Sequence, residues 1–176
     1  MKYVAIIDLQ TSNIKSVIGA CKKVKLKYIL TSNPSDLKRA QGIILPGVGS
    51  FKYAMSFLKK RKLINPIKKF YSSGKPIMGI CLGMQLFFKN SPEYGKTKGL
   101  NIISREVKKF PVKKCKLPNI GWSKVDNLNI IKNKIFNNIN YKKNFYFVHS
   151  YYIEKFSSKN FSIGFSSNAN INFCSF

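Results

Sequence analysis

Apolar positions in the first hundred residues switch between two periods. Tyr3-Val4-Ala5-Ile6-Ile7 is a short unbroken apolar run ending at Asp8, the pattern of a buried strand. Ile14, Val17, Ile18, Cys21 and Val24 then recur three and four apart, which predicts a helix with Ser12 or Asn13 placed to cap it. Lys27-Tyr28-Ile29-Leu30-Thr31 predicts a second strand, and Asn33-Pro34-Ser35-Asp36 a turn opening a short helix. Gly42-Ile43-Ile44-Leu45 reads as a third strand that stops at the loop Pro46-Gly47-Val48-Gly49. Helical spacing returns across Phe51, Ala54, Met55 and Leu58, and across Leu63, Ile64, Ile67, Phe70 and Tyr71, with Gly74 as a stop. Pro76-Ile77-Met78-Gly79-Ile80 predicts a fourth strand, and Leu82 to Phe88 a helix.

From Gly99 the rhythm changes. Strand-like pieces dominate at Asn101 to Val107, Phe145 to His149, Tyr151 to Glu154, Phe161 to Phe165 and Ile171 to Phe176, separated by Asn- and Lys-rich turns. The β-α-β-α first half predicts an α/β fold, an open and mostly parallel sheet with flanking helices on both faces. Extra antiparallel strands belong to the C-terminal half. With no repeat or linker, residues 1–176 read as a single domain, within the usual size of about 100–200 residues. In an open sheet of this kind, ligands sit at the carboxyl ends of the strands.

Composition narrows the function classes. A hydrophobic fraction of 44% excludes wholesale disorder. No apolar run approaches the roughly 18 residues of a membrane span, and Asp8 breaks any signal-peptide pattern, so a soluble cytoplasmic protein is expected with no membrane partner. Four cysteines without a C-x-x-C pair, and a single histidine, predict no metal site. In a reducing compartment they predict no disulfide framework either. The balance of 32 Lys+Arg against 6 Asp+Glu, +26, raises the question of nucleic acid. The lysines, however, are scattered in short groups such as Lys59-Lys60-Arg61-Lys62, and Arg, the better bidentate reader of bases, is scarce. The expectation is a solvated lysine surface without a specific nucleic-acid partner, one that favours acidic partner surfaces.

Two segments fall where the sheet rule puts a site. Gly79-Ile80-Cys81-Leu82-Gly83 has the form G-x-C-x-G, the thiol analogue of a nucleophile elbow. A residue on so sharp a strand-to-helix turn crowds its neighbours two positions away, so glycine at 79 and 83 removes Cβ atoms that would clash. The turn sets Cys81 at a helix N-terminus, which favours thiolate, with the Leu82 amide aimed where an oxyanion would form. The other segment is Pro46-Gly47-Val48-Gly49-Ser50-Phe51. Read alone, the first is equally a Gly-bounded turn around a buried thiol.

Gly79-Ile80-Cys81-Leu82-Gly83-Met84-Gln85-Leu86 behind Pro46-Gly47-Val48-Gly49-Ser50-Phe51 closely resembles the class I glutamine amidotransferases. The narrower resemblance is to the glutaminase subunits of imidazole glycerol phosphate synthases. Asn13-Ile14-Lys15-Ser16-Val17, Pro118-Asn119-Ile120-Gly121-Trp122 and Phe147-Val148-His149-Ser150-Tyr151-Tyr152 extend it in order over nearly the whole chain. The resemblance implies that Cys81 attacks the glutamine carboxamide, forming a glutamyl thioester and releasing ammonia. It gives Gly47, Val48, Gly49 and Leu82 to oxyanion stabilisation, Gln85, Ser150 and Tyr151 to holding glutamine, and Trp122 to the partner junction. The implied partner is a (β/α)₈ barrel synthase subunit, in a heterodimer. It takes the ammonia and makes imidazole glycerol phosphate and an aminoimidazole carboxamide ribotide in histidine biosynthesis. No cofactor is implied.

The resemblance also has gaps. The family's base is a His in a His-Pro-Glu motif, and no such motif occurs here. The only histidine, His149, matches the Val-His-Ser-Tyr segment and is expected to be structural, hydrogen-bonded near the glutamine pocket. The reading is therefore of a chain lacking the expected C-terminal His-x-Glu segment, either a piece of a longer protein or a truncated, non-catalytic copy. A related subunit that aminates another acceptor, such as a surface-polysaccharide sugar, stays open. Finally, Asp8-Leu9-Gln10-Thr11-Ser12-Asn13 departs from the Gly-containing turn expected after the first strand.

Overall fold

Short β-branched runs followed by amphipathic spacing build the N-terminal unit. In the computed structural model, which describes residues 2–113, 116–127, 143–156 and 164–174, the chain divides into two units, Met1–Glu106 and Val107–Phe176. The first opens with β1 (Val4–Ile7), α1 (Ile14–Lys23), β2 (Tyr28–Thr31), α2 (Pro34–Leu37), β3 (Gly42–Gly47) and α3 (Phe51–Lys60). It continues through α4 (Ile64–Ser72), β4 (Ile77–Cys81), α5 (Leu82–Gln85), β5 (Phe88–Ser91), β6 (Thr97–Lys98) and β7 (Ile103–Glu106). Strands β2-β1-β3-β4 form one parallel sheet, in that order. Ala5, Ile6, Ile7, Ile43 and Leu45 on these strands, with Phe51, Leu58, Leu63 and Ile67 from α3, α4 and the turn between them, are all essentially fully buried. That burial of apolar area is the main term holding the unit together.

Local signals set the helix ends. Asn33 accepts from the Ser35 amide (3.1 Å) at the start of α2, and Ser50 from the Tyr53 amide (3.2 Å) at the start of α3. Caps of this kind contribute about 1 kcal/mol each. At α1 the expectation fails in detail. Asn13 occupies the capping position without a side-chain cap, and the Ser12 hydroxyl donates instead to the Pro46 carbonyl (3.0 Å).

Two further boundaries differ from the pattern. β3 runs through Pro46 to Gly47, because Pro46 and Gly47 stay in register with Ile80 and Cys81 of β4. The helix expected to reach Phe88 ends at Gln85, and Phe88 instead starts β5, paired in parallel with β7 at Ile103. An apolar run of this length is ambiguous between helix and strand, and pairing decides it. After β1, Gln10 holds a left-handed φ of 61° while Asp8 accepts its amide (2.8 Å), so the carboxylate stabilises a turn the resemblance assigns to glycine.

The second unit contains β8 (Lys108–Lys109), β9 (Asn119–Ser123), β10 (Asp126–Asn127), β11 (Phe145–His149), β12 (Tyr151–Tyr152), β13 (Gly164–Asn168) and β14 (Ile171–Cys174). Every pairing among its described residues is antiparallel: β11 with β9, β12 with β8, β10 with β13 and β13 with β14. The strand predicted at Tyr151 to Glu154 is β12 followed by a single bridge from Glu154 to Phe173. The beginning of the strand predicted at Phe161 and the end of the one predicted at Phe176 lie outside the described residues, as does Cys115. Phe110, Tyr152 and Phe173 form the unit's core, with Leu117, Phe147 and Ile171 packed on it. Among the described residues, no helix is long and apolar enough to cross a membrane.

Candidate active site

Cys81 is the last residue of β4, and its backbone is bent out of the strand to φ 54°, ψ −116° before α5 begins. A left-handed φ at a residue with a Cβ costs on the order of 1–3 kcal/mol and persists only where the surroundings impose it. The glycines impose it here. A Cβ on Gly79 would press on the Met84 backbone and lie 2.7 Å from Phe87 Cε2. One on Gly83 would collide with the carbonyl of Leu45 on β3. One on Gly47 would meet the Gly83 amide at 3.1 Å. The G-x-C-x-G spacing is thus a packing requirement: the turn fits only if β3 and α5 touch backbone to backbone. Gly83→Ala is expected to destabilise the fold by about 3 kcal/mol or more, since the obstructing atoms are main chain and cannot rotate away. Chemical denaturation measures it, and an unchanged midpoint would contradict the elbow geometry.

The register Gly47↔Cys81 sets the Pro-Gly-Val-Gly loop beside the thiol. Ser12 secures the loop's first carbonyl, and at its far end Glu93 accepts from the Phe51 amide (2.6 Å). A carboxylate on the first turn of α3 is favoured by the exposed N–H groups there. Between these anchors Val48 is half-exposed and Gly49 takes φ 90°, which needs glycine. Leu82 is buried, and so is Gln85 one turn along α5. Cys81, Leu82, Gly47, Val48, Gly49 and Gln85 are thereby gathered at the carboxyl ends of β3 and β4. Glu93 was missed by sequence reading, because a residue 42 positions from the amide it holds leaves no local signal.

The ionisation of Cys81 departs from expectation. Desolvation pushes its thiol pKa above the ordinary value, and the Leu82 amide pulls it down by less. Burial therefore outweighs the short α5, and the resting group is a thiol. Alkylation of Cys81 should rise with pH around a midpoint above the free-thiol value of about 8.5. Iodoacetamide labelling followed by peptide mass mapping checks this, and a midpoint below neutrality would contradict it. Of Cys21, Cys81 and Cys174, only Cys81 is exposed. Among the described residues no group of His, Cys, Asp and Glu is arranged to hold a metal.

Ser150, Tyr151 and Trp122 lie on the second unit. Ser150 joins β11 to β12, and its carbonyl accepts from the Phe110 amide (3.1 Å). His149 has both ring nitrogens engaged: Nδ1 with the Tyr151 carbonyl (2.9 Å) and Nε2 with the Asn119 amide nitrogen (3.0 Å). Desolvation lowers its pKa, partly offset by the Tyr151 carbonyl. Trp122 is 69% exposed and packs edge-on against Tyr146 (5.4 Å), its ladder partner. Ile120 and Val148, also paired, are exposed beside them. One face of the β9–β11 ribbon is therefore an apolar surface of four residues, of which sequence reading found only Trp122. The alternation of Ile120 with Trp122, and of Tyr146 with Val148, carried the signal.

A cysteine on a glycine-bounded elbow beside a second glycine loop, on a parallel sheet, matches the expectation drawn from the class I amidotransferases. Residues 5–175 match the family Glutamine amidotransferase class-I, and the chain belongs to that family. Within it, the chain is 41% identical over 153 residues to "Imidazole glycerol phosphate synthase subunit HisH 1" of Campylobacter jejuni subsp. jejuni serotype O:23/36 (strain 81-176). That match covers 86% of this chain and 75% of the relative. It is 39% identical over 151 residues to the HisH subunit of Bacillus mycoides (strain KBAB4), covering 86% and 71%. Among solved structures, one described as a glutamine amidotransferase superposes with a TM-score of 0.67 at 12% identity, over 98% of this chain and 88% of that one. PurLQS from Thermotoga maritima gives 0.64 at 17%, over 98% and 77%. At such identities the structures speak for the fold.

Proposed function

We propose that this chain is the glutaminase subunit of an imidazole glycerol phosphate synthase, with Cys81 as its nucleophile. The observation that carries the reading is the strained backbone of Cys81, held by Gly79, Gly83 and Leu45 so that the thiol stands at the strand end beside the Gly47 loop. The sulfur attacks the side-chain carbonyl carbon of glutamine, and amides of the Gly47–Gly49 loop and Leu82 stabilise the resulting oxyanion. The C–N bond then breaks, ammonia leaves with the proton it has taken up, and a glutamyl thioester remains. Water hydrolyses the thioester to glutamate and restores the thiol. Gln85, Ser150 and Tyr151 orient the substrate.

Because the resting group is a thiol, a base must take its proton before attack. His149 does not serve: one nitrogen is committed to a carbonyl and the other to a carboxamide. Proton transfer falls to another group.

The ammonia passes to a (β/α)₈ synthase subunit docked on the Ile120, Trp122, Tyr146 and Val148 face. An exposed apolar cluster on an otherwise strongly cationic chain is the mark of an interaction site. The test is an assay with the cognate synthase subunit, its ribonucleotide acceptor and glutamine, following glutamate and imidazole glycerol phosphate together. Both appear if the reading holds. Glutamate with a different aminated product would move the acceptor, and no glutamate would overturn the reading.

A further inference from the structure

The three hydrogen bonds around His149 determine its protonation. A main-chain carbonyl can only accept, so Nδ1, 2.9 Å from the Tyr151 oxygen, carries the proton. The Asn119 carboxamide nitrogen can only donate, so Nε2, 3.0 Å away, holds a lone pair. The orientation of that carboxamide is set in turn by Asn168, whose Nδ2 donates to Asn119 Oδ1 (2.8 Å). Asn119 sits directly opposite His149 in the β9–β11 ladder, and Asn168 closes β13, so the relay ties three strands together.

We propose that Asn119 and Asn168 are positioning residues that lock His149 as the neutral Nδ1–H tautomer, through which it fixes the Tyr151 carbonyl and the Ser150–Tyr151 segment. This rests on the reading above, in which that segment orients glutamine. The ring is enclosed by Phe110 (5.3 Å), Phe147 (5.8 Å) and Phe173 (4.9 Å), an apolar setting that opposes a cation. The titratable groups on the packed elements are the Tyr146, Tyr151 and Tyr152 phenols, Lys108 and Lys109 of β8, and the Cys174 thiol of β14, with Glu154 bridged to Phe173 and ion-paired with Lys108. Protonating Nε2 would require both carboxamides to turn over, so that Asn119 Oδ1 accepts from the ring. The carbonyl contact at Nδ1 survives either state. The relay therefore decides the charge at the site and the carbonyl decides its geometry.

The single histidine among these 176 residues makes the test direct, because a ¹⁵N-labelled sample of this chain yields one imidazole. The expected spectrum is Nδ1–H with bare Nε2, titrating below the ordinary histidine value of about 6.5. In Asn119→Asp the new carboxylate can only accept, so the imidazolium should persist above that value. An Nε2–H tautomer, or ordinary titration in the unmodified chain, overturns the lock. The positioning role is read from alkylation of Cys81 by a glutamine-shaped chloroketone, which separates the half-saturating concentration from the maximal rate. His149→Phe should raise the half-saturating concentration about tenfold, the loss of one ordering hydrogen bond, with the maximal rate little changed. His149→Asn, which keeps a donor near the Nδ1 position, should recover most of it. No change in His149→Phe overturns the positioning role. Absence of saturable labelling in the unmodified chain sinks the glutaminase reading, while the imidazole spectrum still decides the lock.

Discussion

Cys81→Ala is expected to lower glutamate release from glutamine by about 10⁴-fold or more when assayed with the synthase subunit, the scale on which a covalent mechanism loses its nucleophile. The size follows from the route. Without sulfur there is no thioester, and water must attack the carboxamide directly with only the oxyanion donors to help. Alanine at this position keeps the left-handed φ and removes only the sulfur, so the fold should be retained and the synthase subunit should still bind. Synthase turnover with ammonia supplied at high concentration should also survive. Loss of both activities would point to a damaged complex, whereas unchanged glutamate release would remove Cys81 from the chemistry.

The second large effect is at the ribbon face. Trp122→Ala together with Tyr146→Ala should weaken synthase binding about 100-fold or more, measured by calorimetry. The two rings contact each other and project from facing positions, so each truncation also exposes its neighbour. Central aromatic residues typically cost 2 kcal/mol or more when removed from an interface, which is about 30-fold for one residue. Replacing Lys108, in the same unit and paired with Glu154, should by contrast change affinity little, since exposed ion pairs contribute about 0–1 kcal/mol. Equal effects from the two substitutions would assign binding to diffuse charge instead of the apolar face.

Period and spacing made most of the first unit legible. Four strands and helices α1 to α4 stand close to where unbroken apolar runs and three-to-four spacing placed them. The elbow was legible for a related reason: only glycine fits at 79 and 83, so steric demand is written in the sequence as composition. What failed depended on partners remote in the chain. Phe88 belongs to a strand because Ile103 pairs with it, and Ser12 leaves its cap position because Pro46 offers a carbonyl. Thiolate was expected from a helix terminus, but α5 spans only four residues and desolvation dominates. Glu93 and the Asn119–His149–Asn168 relay act over 42, 30 and 49 residues, distances at which a sequence pattern carries no trace.

The proposed glutaminase chemistry depends on a covalent bond forming between Cys81 and the glutamyl group. Rapid acid quench of the complex turning over glutamine, followed by mass spectrometry of the peptide carrying Cys81, tests it most directly. A hydroxylamine-sensitive glutamyl adduct on that peptide, absent from Cys81→Ala, is the predicted result. Glutamate accumulating while that peptide stays unmodified at every quench time would contradict the account.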